Sequence, residues 1–318
     1  MSLAQSVKEQ EFFKNLVEKK ERGTLSNSIL FFCDDEQTAK VSQVLTALML
    51  QYPTFELFDE NSVEFTKILN GADIDNRYYP KNKEKLLVSD SNEIVSEVFI
   101  KPVNFDKKIF VINNFDVSTT EAQNKLLKVL EEPPKNVYFL LSAKRQDKVL
   151  PTIKSRCDKI VISPLSEEEI SKYCQNKLAC ILGNGFLGRT MALDEDDNLK
   201  YLCDFAVSVF TEMKSSKDVL KFSKNFANFR GKEDLILEVL SLCIEDMIKQ
   251  KCESEALCKF SVYEDEIKNV EAEFTIAALC EIEKLISSFR EKVDFNANAT
   301  VLIDNFLLKI LEVKYLCK

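Results

Sequence analysis

The chain has 318 residues, 45% of them hydrophobic, which is typical of an ordinary globular protein with a core large enough for two or three domains. It contains no histidine, which excludes Ser-His-Asp and Cys-His nucleophiles and mixed Cys/His zinc sites. The formal net charge of -9 excludes a surface that attracts nucleic acid as a whole, so any DNA contact has to be local.

Short apolar runs separated by helical patterns predict a parallel sheet in the first half of the chain. The runs are mostly unbroken, as in strands that are buried on both faces, and they lie at residues 28–32, 86–88, 108–112, 137–141 and 159–162. Between them, apolar residues recur at helical spacing over 39–48 and 122–130. Residues 1–162 are therefore predicted to form an α/β domain in which helices cover a parallel sheet.

The helix over 122–130 has explicit end signals in the sequence. Ser118 and Glu121 have the spacing of a capping box, which satisfies the amides of a first helical turn. Pro133 and Pro134 lack amide hydrogens and cannot continue a helix. We therefore expect this helix to begin near Ser118 and to end before Pro133.

The strand pattern stops after Pro164, and the rest of the chain is predicted to be helical. A first segment begins with Ser166 and acidic residues that complement the helix dipole, and it carries an apolar stripe over 170–181. Glycines interrupt this segment, and a further helix is predicted near Gly188. From about residue 208 onward, broad apolar faces predict an all-helical domain. These faces either pack against each other or leave one face for a partner chain.

The segment after the first predicted strand stands where nucleotide-hydrolysing α/β proteins bind phosphate. Such a loop needs glycines that turn successive amides toward the phosphates, a lysine, and a Ser or Thr hydroxyl for magnesium. Here no glycine occurs between Cys33 and Leu50, and Lys40 is followed by Val41. Carboxylates add negative charge where the phosphate would bind, at Asp34, Asp35 and Glu36. We therefore predict that this degenerate loop does not bind ATP tightly.

The expected magnesium site is degenerate as well. In an active NTPase, an acidic magnesium ligand follows the strand that corresponds to 108–112, and a second carboxylate positions the attacking water. Here Asn113 and Asn114 follow that strand, and their neutral amides cannot supply the charge. Asp116 is predicted to be a turn residue, and Ala143 offers no polar group to sense a γ-phosphate. The sequence therefore predicts no cofactor and no metal bound by this chain itself.

Cysteine spacing and hydropathy restrict the remaining possibilities. The ten cysteines are scattered without C-x-x-C pairs or a secretion signal, so we predict reduced, buried thiols rather than disulfides or a metal site. No apolar run approaches the ~20 residues that cross a bilayer. The chain is therefore predicted to be cytoplasmic and to have no membrane partner.

The most specific pattern lies near the centre of the chain. NKLLKVLEEPP covers residues 124–134, and Ser155, Arg156 and Cys157 follow after the strand NVYFLL and the helix-like LPTIK. This block resembles the delta-prime subunits of the bacterial DNA polymerase III clamp loader, within the AAA+ family. Weaker resemblance extends to GNGFLGRTMAL at 183–193 and to FNANATVLIDNFLLKIL at 295–311.

The resemblance implies a RecA-like AAA+ core over residues 1–162, a small helical lid domain over 163–207 and a C-terminal helical collar domain over 208–318. It implies a subunit that is no enzyme by itself, but a non-catalytic part of a DNA-directed DNA polymerase (nucleotidyltransferase) holoenzyme. The implied partners are tau or gamma ATPase subunits and the delta subunit, and, through the assembled complex, the sliding clamp and primed DNA. ATP and Mg²⁺ are then held by the neighbouring subunit.

The sequence departs from the active tau or gamma type of this family. Those subunits carry an intact phosphate loop and usually a four-cysteine zinc module, whereas no cysteine occurs here between Cys33 and Cys157. The departure favours the delta-prime type, which is not expected to hydrolyse ATP. Arg189 stands in the lid segment that contacts nucleotide in active relatives, and a packing or ion-pair role is favoured for it here.

Arg156 is the residue on which the predicted function depends. A guanidinium is planar and always charged, and it stabilises a transferring phosphoryl group when it is inserted across a subunit interface. An isolated arginine is more often one side of a surface salt bridge. Within this block, in contrast, we interpret Arg156 as an arginine finger that acts in trans on a neighbour's ATP. Ser155 is predicted to hold the turn through a hydrogen bond to the backbone, and Cys157 to be a small buried apolar residue.

A basic patch and two alternative functions stay open. The patch consists of the cations around the predicted finger, namely Lys144, Arg145, Lys148, Lys154, Arg156 and Lys159. It faces a neighbouring ATP, DNA phosphates or only solvent, and a solvated face is the default.

The alternatives to the finger are an active AAA+ NTPase with an unorthodox loop and an assembly scaffold in which Ser-Arg-Cys is a relic.

Overall fold

The computed structural model describes residues 2–81, 85–252, 258–293 and 299–316. They fold into two compact units, the first formed by Met1–Tyr173 together with Gly183–Met191, and the second by Cys174–Leu182 together with Ala192–Lys318. The predicted division into core, lid and collar stays a prediction.

The first unit is an α/β domain in which strands and helices alternate along the chain. Its strands are β1 (Ser28–Phe32), β2 (Asn76–Tyr79), β3 (Lys108–Ile112), β4 (Val137–Ala143) and β5 (Asp158–Val161). The helices of its continuous part are α1 (Leu3–Glu9), α2 (Glu11–Glu21), α3 (Glu36–Gln51), α4 (Val63–Leu69), α5 (Val88–Glu97), α6 (Thr120–Glu131), α7 (Pro151–Lys154) and α8 (Glu167–Ile170). Such alternation provides the crossovers that parallel strands require.

The five strands form one sheet in which all pairings are parallel. The strand order is β2-β3-β4-β1-β5. In the centre, Phe110 of β3 pairs with Phe139 of β4, and the two rings stack with their centroids 5.3 Å apart. Every residue of β1 and β3 is buried, as expected for strands that are covered on both faces. The predicted fold class, a parallel α/β domain combined with a helical part, is confirmed.

One predicted strand is wrong. Residues 86–88 do not form a strand. Leu86 is buried in the core, Leu87 is the N-cap of α5, and Val88 is the first residue of that helix. The second strand is β2, at the edge of the sheet beside β3. Its sequence, NRYY, contains no apolar run. Arg77 pairs with Glu97 at 2.9 Å (Nε to Oε2) instead of packing in the core. An edge strand tolerates such polar residues, and apolar patterning therefore misses it.

Helix α6 begins slightly later than predicted. Its cap is Thr119, whose Oγ1 accepts a hydrogen bond from Ala122 N at 3.2 Å. The predicted cap at Ser118 is wrong, because the Ser118 hydroxyl donates to the carbonyl of Phe115 in the preceding turn. The predicted end is confirmed, since α6 ends at Glu131, before the two prolines.

The first amphipathic segment predicted for the second half of the chain is two helices rather than one. Helix α8 is a single turn with a capping box, in which Ser166 Oγ accepts from Glu169 N and the Glu169 carboxylate accepts from Ser166 N at 2.9 Å. The next helix, α9 (Lys177–Gly183), starts where Asn176 Oδ1 accepts the amide hydrogen of Leu178 at 3.1 Å. Such a local side-chain bond competes with continuation of the first helix.

The rest of the chain is helical. The remaining helices are α10 (Leu187–Asp194), α11 (Leu199–Thr211), α12 (Ser216–Ala227), α13 (Glu233–Lys251), α14 (Glu264–Glu271), α15 (Ile276–Val293) and α16 (Ala299–Leu316). The broad apolar faces of α11 to α16 largely pack against one another, with the rings of Phe289 and Phe306 stacked 4.5 Å apart. The asparagine-rich residues 295–298 lie outside the described residues. Among the helices of the described part, none is long and apolar enough to cross a bilayer.

A buried carboxylate stabilises the second unit. Asp246, on α13, is fully buried and accepts hydrogen bonds from the amides of Lys259 and Phe260 at 3.0 and 2.7 Å. Asp246→Ala leaves both amides without an acceptor, so we expect it to lower the free energy of unfolding by ~2–4 kcal/mol. Urea unfolding followed by circular dichroism measures the change. The exposed Asp265 provides the control variant, Asp265→Ala, and equal midpoints for the two variants would contradict this role for Asp246.

Candidate functional site

A buried glutamine joins α6 to the segment that leads into α7. Gln123 is 2% exposed, and its amide nitrogen donates to the carbonyl of Lys148 at 3.0 Å. Its amide oxygen accepts from Leu150 N, also at 3.0 Å. Because both ends of one side chain are bonded to this segment, α6 sets the position of α7 and of the Ser-Arg-Cys residues that follow it.

The end of α7 holds two of the predicted site residues. Pro151 occupies the first position of this single turn, where its missing amide hydrogen has no helical partner to lose. The carbonyl of Thr152 accepts two hydrogen bonds, from Ser155 Oγ at 3.0 Å and from Arg156 Nη1 at 2.9 Å. Carbonyls in a last turn lack partners within their helix, so they are available for such bonds. Ser155 and Arg156 are thus both tied to α7.

Arg156 lies at the surface with its guanidinium held in place. Its side chain is 28% exposed, and Nη2 forms an ion pair with Glu131 Oε2, at the end of α6, at 2.9 Å. Nε is buried and has no hydrogen-bond partner within the described residues. A carbonyl and a carboxylate therefore fix two nitrogens of the guanidinium, and the cation is both oriented and accessible.

The cysteines next to these segments are unreactive. Cys157 packs in the core of the first unit, and burial raises the pKa of its thiol to about 12. Burial likewise raises the pKa of the Cys33 thiol, after β1, to about 12. Such thiols stay protonated at neutral pH and are poor nucleophiles. The cysteines within the described ranges are free thiols, but the predicted burial is wrong for Cys252 and Cys280, which are exposed.

The start of α3 occupies the place of a phosphate loop. Asp35 is the N-cap of α3, and its carboxylate accepts from the amides of Gln37 and Thr38 at 3.3 and 3.0 Å and also from the Thr38 hydroxyl. The amides at a helix N-terminus are the groups that bind phosphate in nucleotide-hydrolysing proteins. Here the chain's own carboxylate is bonded to them, and a phosphate would meet its negative charge.

Helix α10 approaches the same place closely. A β-carbon at Gly188 would lie 3.0 Å from the hydroxyl of Thr38 and would overlap the carboxylate of Asp35. Glycine at this position therefore allows α10 to pack against the start of α3. Arg189, the predicted lid residue, follows on α10 and is half-buried. The degenerate loop and the lid segment are thus neighbours within the first unit.

The lysine of the degenerate loop is neutralised within the chain. Lys40 Nζ lies 2.5 Å from Glu36 Oε1, one helical turn before it. Burial alone would raise the pKa of the Glu36 carboxyl, but the Lys40 ammonium and the Asn114 side chain hold that pKa below its usual value. Glu36 is therefore ionised at neutral pH and remains paired with Lys40. Asp34, the third carboxylate of this segment, is exposed.

The residues after β3 form a neutral hydrogen-bonded cluster. Asn113 is 2% exposed, donates to the hydroxyl of Tyr78 and accepts from the hydroxyl of Ser142 at 3.1 Å. Burial raises the pKa of Tyr78, so its hydroxyl stays protonated. Asn114 adopts a left-handed backbone conformation with φ 49°. Mg²⁺ prefers carboxylate oxygens, and within the described part of the chain no group of three or more acidic or cysteine side chains could hold a metal ion.

One carboxylate organises the basic patch. The side chain of Asp116 is 7% exposed, and it accepts the amides of Lys144 and Arg145 at 3.2 and 3.1 Å. Asp116 therefore shapes the turn after β4. Lys154 Nζ donates to the carbonyl of Gln146 at 3.0 Å, which ties α7 to the same turn. The exposed members of the patch are Lys144, Arg145, Lys148 and Lys159.

The residues at the start of α3 and after β3 do not fit a nucleotide with its magnesium ion. Titration of the isolated chain with ATP and Mg²⁺ is expected to give no saturable heat, with any dissociation constant above ~1 mM. The reasons are the cap by Asp35 and the amide of Asn113 in place of a carboxylate. An ATPase with an intact phosphate loop is the positive control, and saturable binding at micromolar ATP would contradict the assignment.

The sequence did not identify three residues of this site. Glu131 lies in the EEPP part of the central block, which gave a signal for the block but none for an individual role. Gln123 is a polar residue among the buried positions of α6, and a polar residue within an apolar pattern is a signal that could have identified it. Thr152 acts through its carbonyl, for which no side-chain pattern exists.

Comparisons with known proteins place the chain among replication proteins. The family model described as "DNA polymerase III, delta subunit" matches residues 8–166. The DNA polymerase III subunit gamma of Buchnera aphidicola subsp. Schizaphis graminum is 27% identical over 150 residues, and the gamma/tau subunit of Mycobacterium tuberculosis is 38% identical over 69 residues. A solved gamma subunit-related protein from Thermotoga maritima covers 94% of this chain and 99% of that chain, with TM-score 0.54 and 17% identity. At that identity the likeness shows the fold alone.

The matches to the curated relatives are partial. The Buchnera match covers 47% of this chain and 39% of the relative, and the mycobacterial match covers 22% and 12%. The family model, in contrast, includes α6, α7 and the Ser-Arg-Cys residues. The family likeness therefore covers the start of α3 and Arg156, whereas Gly188 and Arg189 of α10 lie beyond it.

Proposed function

Since the chain belongs to the DNA polymerase III, delta subunit family of clamp-loader proteins, we propose that it is a clamp-loader subunit that does not hydrolyse ATP itself. It supplies Arg156 as an arginine finger to ATP and Mg²⁺ that a neighbouring tau or gamma subunit binds. Together with the delta subunit, the assembled complex loads the sliding clamp onto primed DNA. The chain is thus a non-catalytic subunit of the polymerase holoenzyme.

One contrast carries this proposal. Arg156 is oriented by Thr152 and Glu131 and remains partly exposed. Asp35, in contrast, caps the amides to which the chain's own phosphate would bind. The Arg156 guanidinium is oriented to bind a phosphate, whereas the Asp35 carboxylate repels phosphate from the chain's own site. This combination suits a nucleotide that is bound by another subunit. Arginines supplied in trans stabilise the charge of the transferring phosphoryl group in this way.

The two alternative functions have less support. An NTPase needs a carboxylate for magnesium, whereas Asn113 here is a neutral residue in a closed cluster with Tyr78 and Ser142. A scaffold does not require an oriented guanidinium, and in a scaffold the two contacts of Arg156 at 2.9 Å would serve only to tie α7 to α6. The trans finger explains both observations.

An exposed apolar stripe on α16 supports assembly through the second unit. Val301, Leu308 and Tyr315 are 60%, 39% and 47% exposed. They recur at heptad spacing, which places them on one face of the helix. The exposed residues between them on the same side, Asn305 and Glu312, are polar, so the stripe is a row of single apolar side chains, one every two turns. We assign this stripe to contact with a collar helix of a related subunit.

Reconstitution tests the proposal. The chain is mixed with tau or gamma and delta subunits, the complex mass is measured by light scattering, and ATP hydrolysis is followed on primed DNA. We expect one complex that contains this chain and that hydrolyses ATP faster than a mixture without it. Leu308→Asp should exclude the chain from the complex, because a charge would be buried at the contact. Leu57→Asp, at an 80% exposed residue of the first unit, is the matched control.

Two results of the reconstitution would reject the proposal. The first is a chain that stays separate from the other subunits at concentrations at which they assemble. The second is a complex that includes the chain but hydrolyses ATP at the same DNA-stimulated rate without it. Normal incorporation of Leu308→Asp would reject only the assignment of the α16 stripe.

A further inference from the structure

The ion pair between Glu131 and Arg156 connects the end of α6 to the proposed finger. Glu131 Oε2 lies 2.9 Å from Arg156 Nη2, and the two side chains are 54% and 28% exposed. We propose that Glu131 is a positioning residue that holds the Arg156 guanidinium in the orientation in which it reaches the neighbour's ATP. This inference rests on the proposed trans function of Arg156 and adds a residue that acts only through it.

The contacts of the guanidinium explain why a second anchor matters. Thr152 O accepts from Nη1, Glu131 accepts from Nη2, and the intervening Nε is buried. Because a guanidinium is planar, contacts at both terminal nitrogens fix its tilt and its rotation together. With the Thr152 contact alone, the plane is free to turn about that single bond.

Glu131 is dedicated to this contact. Within the residues that the structure describes, Arg156 is the polar partner of the Glu131 side chain. Glu131 is the last residue of α6 and Glu132 is the C-cap, so Glu131 is not the capping residue of the helix. Glu132 is also exposed and forms no ion pair in the described ranges, which makes it a matched control of the same charge.

A competing effect has the opposite sign and is smaller. The Glu131 carboxylate competes with phosphate for the same guanidinium, but the pair is exposed, and an exposed ion pair changes an equilibrium by a factor of ~5 or less. Ordering a fully free arginine side chain costs a factor of up to ~30, and the Thr152 contact that remains without Glu131 preserves only part of that order. Positioning therefore outweighs competition, and loss of Glu131 should slow hydrolysis rather than accelerate it.

Steady-state kinetics of the reconstituted loader test this sign. For Glu131→Ala we expect kcat to fall by ~3- to 30-fold while KM for ATP stays the same, because the neighbour still binds the nucleotide. Glu131→Gln should recover most of kcat, since its amide oxygen still accepts a hydrogen bond from Arg156. Glu132→Ala should behave like the parent. A rise of kcat in both Glu131 variants would overturn the proposal, because competition would then dominate.

A double variant separates this inference from the proposed function. Glu131→Ala combined with Arg156→Ala should be no slower than Arg156→Ala alone, because Glu131 acts through the guanidinium. Losses that multiply would overturn the inference, since Glu131 would then act elsewhere. If Arg156→Ala slows hydrolysis and Glu131→Ala does not, the inference alone fails. If Arg156→Ala itself has no effect, the proposed function fails and the inference fails with it.

Discussion

Arg156→Ala is expected to remove most ATP hydrolysis at the interface between this chain and its ATPase neighbour. A finger supplied in trans is worth ~10³ to 10⁵ in rate in the best-studied GTPases, and we expect at least ~10² here. Single-turnover hydrolysis by the assembled loader on primed DNA is the measurement, because sites that lack this chain as neighbour continue at the parental rate. The affected site then appears as a slow fraction of the bound ATP. Complex mass should not change, since the side chain is partly exposed and not part of the core.

Two further variants decide which property of Arg156 matters. Arg156→Lys keeps the charge but loses the planar fork, so we expect it to recover little activity. Arg145→Ala removes a 57% exposed arginine of the same basic patch and should behave like the parent. Equal slow fractions for Arg156→Ala and the parent would contradict the finger and favour the scaffold. A loss in Arg145→Ala as large as in Arg156→Ala would mean that the charge of the patch matters rather than one guanidinium.

Sequence patterns predicted the central strands because burial leaves them no freedom of composition. β1 and β3 lie inside the sheet, so each of their residues has to be apolar or internally satisfied, and both ranges were predicted as the structure has them. β2 lies at the edge, where Arg77 pairs with Glu97 and Asn76 donates to Gln51. Its stability comes from partners far along the chain, and no local pattern encodes them.

The candidate site divides in the same way. The absence of glycine and of an acidic metal ligand is local, so the sequence alone is enough to predict a degenerate nucleotide site. The Asp35 carboxylate caps the free amides at the start of α3. This contact depends on the backbone conformation there, which the composition of the segment does not specify. The anchors of Arg156 belong to two helices, since Glu131 is on α6 and Thr152 is on α7. Their meeting depends on how the intervening strand and turn fold back.

Gln123 links α6 to the segment before α7 and so helps to bring Glu131 and Thr152 together. Its removal is expected to have the second-largest effect on ATP hydrolysis. Gln123→Ala removes both bonds that hold the segment before α7, to Lys148 O and Leu150 N. Leaving these groups unpaired lowers the free energy of unfolding by ~1–3 kcal/mol, which a folded domain of this size tolerates. A displacement of α7 by about 1 Å moves Arg156 off the phosphoryl group, so we expect a ~10- to 10²-fold loss in trans hydrolysis.

The Gln123 variants are compared at a temperature well below their unfolding transitions, so that stability does not limit the rate. Lys125→Ala changes an exposed residue of α6 and controls for the helix itself. Gln123→Glu keeps the acceptor for Leu150 N but places a buried carboxylate against the carbonyl of Lys148, so a rate no higher than that of Gln123→Ala is expected for it. Parental hydrolysis by Gln123→Ala, together with earlier unfolding, would mean that the buried side chain of Ile153 positions α7 by packing alone. The finger would then depend on the core beneath it, and the polar link to α6 would contribute to stability and not to the orientation of Arg156.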